Sequence, residues 1–290
     1  MRISKIFSIP AILFLILMLP SCSTTKNDGT VLRFNLQKGK AYAYQMSIDM
    51  ENDMNGQKLN SAMNFDYDVE VVDEKDSVKT LRATYKRVVM KMNLPNASID
   101  LDTDRPMKDS VLDLKTNPLA VMEHMFYAVV NKSFTMTVDP EGKVTSVTGM
   151  KEMGDAILGS MKVNENEKAI VEQSFNSQFN EETMKESFSQ AFHLFPNKAV
   201  KVGDTWDKAM NFGGMMAASM KTTYTVKEIK DNKVTLDVNS TMEMNNNKGV
   251  QTGTMIIDQP TGLVLEGNLQ QQTEGVLKGT TKVQIKGREK

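Results

Sequence analysis

The chain has 290 residues but only one cysteine, Cys22, and two histidines, His124 and His193, so side chains suited to nucleophilic or metal chemistry are scarce. A catalytic thiolate needs a base beside it and a pocket around it, and no histidine lies within a hundred residues of Cys22. His124 and His193 each fall within or just after an apolar helical pattern, as satisfied or polar-face helix histidines do. Without further His or Cys they do not make a zinc site. Asp100-Leu101-Asp102-Thr103-Asp104 is the best metal candidate, because alternate carboxylates could converge on calcium. The calcium loop between helices needs a Gly at its sixth place and a Glu at its twelfth, where this chain has Arg105 and Val111. A solvated strand edge with Leu101 turned inward fits better. No Gly-rich phosphate loop, Gly-x-Ser-x-Gly elbow or paired-carboxylate setting occurs. The expectation is a protein that is not an enzyme, with no catalytic residues, no metal and no cofactor.

Cys22 acquires another meaning from what precedes it. Arg2 and Lys5 are positive, Ile6 to Leu19 are almost wholly apolar, and the chain turns polar at Ser21. A spanning helix needs about 20 apolar residues, and this run is shorter and broken by Pro10 and Pro20, so residues 1–21 read as a cleaved signal peptide. Leu19-Pro20-Ser21-Cys22 resembles a bacterial lipobox, with Pro20 a less usual occupant. That resemblance implies cleavage before Cys22 and acylation of its sulfur and amino group by chains such as palmitate. Two or three chains at about 0.8 kcal/mol per buried methylene make a lasting membrane anchor. Residues 22–29 are then the lipidated N-terminus and a polar tether. Ser23 lacks the acidic side chain that retains some lipoproteins in the inner membrane, which points to the outer membrane, on its periplasmic or surface side. With no second cysteine the domain holds no disulfide, and its core must carry its stability. Removing two of 35 basic residues leaves 33 against 36 acidic ones, a net charge of −3, and nothing in that balance suggests nucleic acid, which wants a concentrated basic face.

The rest must come from how the chain folds. Tyr42, Tyr44, Met46, Ile48 and Met50 alternate with polar residues, and Met63, Phe65, Tyr67, Val69 and Val71 repeat the pattern after a turn containing Gly56. A third strand spans Val78 to Leu94, where the apolar phase shifts from Leu81, Ala83 and Tyr85 to Val88, Met90 and Met92, predicting a bulge and a curved sheet. Asn117-Pro118 looks like an N-cap and first helical residue, with Met122, Met125, Phe126 and Val129 at helical spacing. A hairpin follows around Asp139-Pro140-Glu141-Gly142, then three helices across about 150–195. Beyond Pro196 the chain returns to strands with short connections, which predicts antiparallel pairing.

Two features recur in the same order. Tyr67-Asp-Val69-Glu-Val-Val72 before a polar turn is echoed by Tyr224-Thr-Val226-Lys-Glu-Ile229, and Met136-Thr-Val-Asp139-Pro-Glu-Gly142 by Met255-Ile-Ile-Asp258-Gln-Pro-Thr-Gly262. We expect one β-rich α+β domain over 30–288, with a two-fold hairpin repeat (about 40–147 and 217–287) and a helical insert at about 150–195. Its fold class is a large curved antiparallel sheet, an incomplete barrel of about ten or eleven strands, with the helices packed on its concave side. This element order resembles the incomplete-barrel lipoprotein carriers of the bacterial envelope. Leu32-Arg-Phe34-Asn-Leu36-Gln-Lys38-Gly39-Lys-Ala-Tyr42 and Phe195-Pro196-Asn-Lys198-Ala-Val200-Lys-Val202-Gly203-Asp204-Thr-Trp206 resemble segments of an uncharacterised family of Bacteroidota-type lipoproteins. Asp76-Ser77-Val78 and Asp109-Ser110-Val111 resemble the O-glycosylation sites of such bacteria.

The 23 methionines are the strongest anomaly of composition. Met46, Met50, Met90, Met92, Met242 and Met244 sit on apolar strand phases, and Met122 and Met125 on a helix face. Flexible, polarizable methionine suits a surface that adapts to varied apolar shapes. The expected function is a membrane-anchored envelope lipoprotein that binds a lipid or other hydrophobic ligand in a cavity lined by these eight residues. The alternative is a scaffold subunit of an envelope protein complex, with a filled core.

Overall fold

The computed structural model describes residues 29–290 except 55, 95–96, 108–117, 162–163, 179, 197, 213–217 and 245–246. The alternating stretches fold as strands, and tight turns make successive ones antiparallel. β2 (Ala41–Met54), β3 (Gln57–Lys75) and β4 (Val78–Leu94) form a meander, and β5 (Ala97–Asp102) folds back on the end of β4. After α1 (Pro118–Val129), β6 (Ser133–Val138) takes the first part of the same β4 edge and β7 (Val144–Thr148) pairs with β6. Three helices follow: α2 (Met150–Ser160), α3 (Glu165–Gln178) and α4 (Glu181–Phe192). β8 (Ala199–Val200) pairs with β1 (Thr30–Val31), apart from the main sheet. The chain ends in a second meander, β9 (Thr205–Phe212), β10 (Ala218–Lys230), β11 (Lys233–Met244), β12 (Asn247–Asp258), β13 (Val264–Gly275) and β14 (Leu277–Glu289).

β14 pairs with β2 and joins the two meanders into a sheet of twelve strands, ordered β7-β6-β4-β3-β2-β14-β13-β12-β11-β10-β9 with β5 beside β4. Its two ends, β7 and β9, do not pair, so the sheet is an open barrel with one seam. Eight strand spacings separate β4 from β9, about 38 Å if the sheet were flat. Yet Tyr85 of β4 and Met210 of β9 line the same cavity, which requires strong curvature. The phase change foreseen in β4 is a bulge at Lys86, the residue skipped between the pairs Tyr67–Tyr85 and Asp66–Arg87.

The same construction occurs in both meanders. β3 and β4 are joined by Asp76-Ser77, and β10 and β11 by Asp231-Asn232, both residues having positive φ in each pair as a two-residue type I′ hairpin demands. A bulge falls at Val72 just before the first turn and at Lys227 just before the second. Another falls at Thr145 after the β6–β7 turn and at Leu265 after the β12–β13 turn. Gly39 N–H donates to Val71 O at 2.9 Å, and Gly203 N–H to Val226 O at 2.8 Å. By these equivalences β2, β3, β4, β6 and β7 correspond to β9, β10, β11, β12 and β13, in the same spatial order.

β14 has no counterpart after β7. Where such a strand would bridge β7 to β9, the chain instead makes helices, and α4 lies against both edges. Ser189 Oγ accepts from Val144 N–H at 3.0 Å and donates to Val144 O at 3.2 Å, satisfying backbone groups of β7 that lack a strand partner on that side. On the other side Lys208 of β9 meets His193 Nε2 at 2.9 Å, at the C-terminal end of α4.

The core has three parts. The largest runs from β2–β4 and β6–β7 to α2 and α3, where Val171 and Phe175 pack with Met153 and Ile157. A second lies under β10–β12 around Trp206, Tyr224 and Leu236, and a third joins α1 to β4 and β5 around Val88 and Leu101. Residues 32–36 strap one end of the barrel: Leu32 and Leu36 are fully buried, Phe34 N–H donates to Pro140 O, and Asn35 N–H donates to Thr261 O.

Candidate functional site

Inside the barrel the alternation leaves a cavity of ≈ 580 Å³ rather than a filled core. All main-sheet strands but β5 and β7 contribute inward-pointing residues, among them Met46 and Ile48 from β2, Phe65 and Tyr67 from β3, Tyr85 from β4, Met136 from β6, Met220 and Tyr224 from β10, and Val283 and Ile285 from β14. Phe188 and Phe192 of α4 complete the wall at the seam, and Phe34 of the strap closes one end. The aromatic rings form a connected belt. Tyr44 and Tyr67 stack with centroids 5.3 Å apart, Tyr85 lies 6.3 Å from Phe134, Phe134 5.0 Å from Phe188, and Phe34 5.3 Å from Phe192. The outer phase of the same strands is polar, as at exposed Asp49, Glu51, Arg82, Lys91, Lys221, Lys282 and Lys286. The barrel is thus apolar inside and polar outside.

No Asp, Glu, Lys, Arg or His is among the described residues of the wall. Its polar groups are hydroxyls and one amide, Gln251. Thr222 and Ser240 hydrogen-bond to each other at 2.8 Å. Burial pushes the phenols of Tyr44, Tyr67 and Tyr85 upward, and that of Tyr224 up to about 12, so all four stay protonated at neutral pH.

The eight methionines named from sequence are scattered. Met46 lies on the cavity wall. Met90, Met92 and Met122 belong to the cluster under α1, and Met125 packs on the largest core cluster. Met50, Met242 and Met244 are half-buried near strand ends, off the wall. The methionines on the wall besides Met46 are Met136, Met210, Met220 and Met255. They sit on inward phases of β6, β9, β10 and β12, a signal available in the alternation but less conspicuous than the Met-Lys-Met and Met-Glu-Met runs.

The acidic run is taken up in ion pairs, and no cluster of three or more His, Cys, Asp or Glu side chains in metal-holding geometry occurs among the described residues. Asp100–Asp102 is a strand edge with Leu101 buried beneath. Arg87 binds Asp102 through two nitrogens at 3.0 and 2.8 Å, and this holds its carboxyl down at about 2. Arg87 also meets Asp104 at 3.0 Å, and Arg105 meets Asp100 at 2.9 Å. His124 is buried in α1, and His193 is held by Lys208. Burial first, then the Lys208 cation, lowers the His193 pKa. Asp76 and Ser77 are exposed in their turn. Cys22, Asn117 and Asp109-Ser110-Val111 lie outside the described residues.

A model described as a family of unknown function, DUF6263, matches residues 76–264. No curated protein matches the chain. Among solved structures, one on lipid–protein interactions in lipovitellin is similar at 11% identity and a TM-score of 0.46, over 87% of this chain and 25% of that one. An outer membrane channel from Pseudomonas putida F1 is similar at 9% identity and a TM-score of 0.25, over 89% and 97%. OpdQ of Pseudomonas aeruginosa follows at 7% and 0.21, over 84% and 69%. The chain spans a quarter of the lipovitellin chain, and all three superpose too loosely to carry an argument.

Proposed function

The chain belongs to the DUF6263 family, a family of unknown function, and we propose that it is a non-enzymatic binding protein that holds a lipid or other hydrophobic ligand inside the open barrel. The cavity carries this reading. A volume of ≈ 580 Å³ falls in the range of ligand sites, and its wall is overwhelmingly apolar and aromatic. A scaffold needs no hollow centre, since an unfilled cavity costs stability that packing would recover. The polar outer phase suits a barrel surrounded by water, the inverse of a membrane-spanning barrel with its apolar band outward. In this proposal Cys22 carries acyl chains that tether the domain to the outer membrane of a bacterial envelope, and the ligand crosses the seam beneath α4, where side chains replace strand pairing.

Val283→Trp tests the cavity. Val283 is half-buried on the wall at the middle of the sheet, so an indole there fills space without removing a hydrogen bond. The whole protein should bind a fluorescent long-chain acyl probe at one site per chain, and the variant should fold with unchanged circular dichroism while binding at least tenfold more weakly. Equal binding by the two would place the probe outside the barrel and defeat the proposal.

A further inference from the structure

The six tyrosines divide sharply. Tyr42 and Tyr127 lie off the cavity wall, and both phenols are paired: Gln37 N–H donates to Tyr42 Oη at 2.9 Å, and Tyr127 Oη donates to Asp102 O at 3.0 Å. Tyr44, Tyr67, Tyr85 and Tyr224 all line the cavity, and none of their hydroxyls has a hydrogen-bond partner among the described residues. Gln251, also on the wall, makes no side-chain hydrogen bond there either. Tyr44 and Tyr224 are buried and Tyr67 and Tyr85 half-buried; a fully buried hydroxyl without a partner costs about 1–3 kcal/mol, and phenylalanine would keep the ring packing without that cost. Four such phenols around one hollow point to a partner that comes with the ligand.

What that partner can be follows from the wall. A protonated phenol both donates and accepts, and its proton stays unpaired unless the ligand offers an acceptor. The described wall has no cation to pair with a carboxylate or phosphate, and an unpaired anion is strongly disfavoured in so apolar a space. A bare hydrocarbon would leave the hydroxyls unsatisfied. Resting on the reading of the cavity as a lipid site, we infer that its ligand is an uncharged lipid carrying acceptor oxygens, such as a long-chain acyl ester of glycerol, with its ester groups among Tyr44, Tyr67, Tyr85 and Tyr224 and its chain against the methionine and phenylalanine wall. Charged headgroups and free carboxylates are excluded unless they protonate or remain outside.

Three probes of equal chain length separate the possibilities: monooleoylglycerol, oleic acid and octadecene, each titrated into the whole protein at pH 8. The ester should bind most tightly. The double variant Tyr67→Phe/Tyr85→Phe should weaken ester binding about 25- to 100-fold, at about five- to tenfold for each of two lost hydrogen bonds, and leave octadecene binding equal or tighter. On the unaltered protein, oleic acid affinity should rise as the pH falls and the acid becomes neutral, while ester affinity stays flat. If all three probes bind equally and the double variant changes nothing, the acceptor inference is wrong and the apolar cavity stands. If oleate binds best at pH 8, an anion site exists and the inference is overturned. If no probe binds, the cavity reading itself fails.

Discussion

Gly262 and Gly39 both have positive φ, yet the space around them differs, and that difference reports how tightly the strap seals the barrel. A Cβ on Gly262 would lie 2.2 Å from Arg33 O, a backbone atom, whereas a Cβ on Gly39 would meet nothing within 4 Å. Gly39→Ala should cost about 1–2 kcal/mol, the ordinary left-handed penalty. Gly262→Ala should cost more, about 3 kcal/mol or above, because the strap backbone must also move. Urea unfolding of the two variants checks this, and equal losses would mean that residues 32–36 do not press on the β12–β13 turn. At the same scale the acidic run is a set of ion pairs: Arg87 grips both oxygens of Asp102 and holds its carboxyl down at about 2, so it is charged at neutral and mildly acidic pH.

Among the elements, α4 has the least usual task, since it stands where a strand would close the barrel. Its hold on β7 depends on Ser189, so Ser189→Ala should leave the Val144 N–H unpaired, lower stability by about 1–2 kcal/mol and speed probe release. Its hold on β9 involves His193, which burial first, and then Lys208 and Lys143, push toward the neutral form, while Glu141 and Asp139 oppose them. The folded pKa is below the ordinary 6.5, so the stability gained from neutral His193 is present above pH 6.5 and is lost as the pH falls through the folded value. The urea midpoint should therefore drop on mild acidification, and His193→Gln should flatten that dependence. An unchanged slope would remove His193 from the seam's control. These elements differ in how far they could be read from sequence. The hairpins were legible because alternation and turn residues such as Asp139-Pro140-Glu141-Gly142 are local, and so were the helices with their regular apolar spacing. The β1–β8 pair was not, because two-residue strands carry no period, and neither was the position of α4 in the seam, which depends on a strand missing from the first meander.

For the molecule as a whole, correspondence between the meanders explains why a chain of this size makes a hollow rather than a layered core. Two similar five-strand units joined through β14 curve around a common axis, and their inward phases meet across a gap too wide for their side chains to fill. The wall could not be read in advance for that reason. Phe34, Tyr85, Met210 and Val283 come from four distant segments, and curvature alone brings them together, while the conspicuous methionine runs at the ends of β4 and β11 lie off the wall. The most direct measurement is of what the barrel contains. The whole protein should be purified, freed of bound detergent, extracted with organic solvent and analysed by mass spectrometry beside Val283→Trp. An uncharged lipid near one per chain is expected in the unaltered protein, and little or none in the variant. Equal lipid in both, or none in either, would mean that the barrel does not hold a lipid.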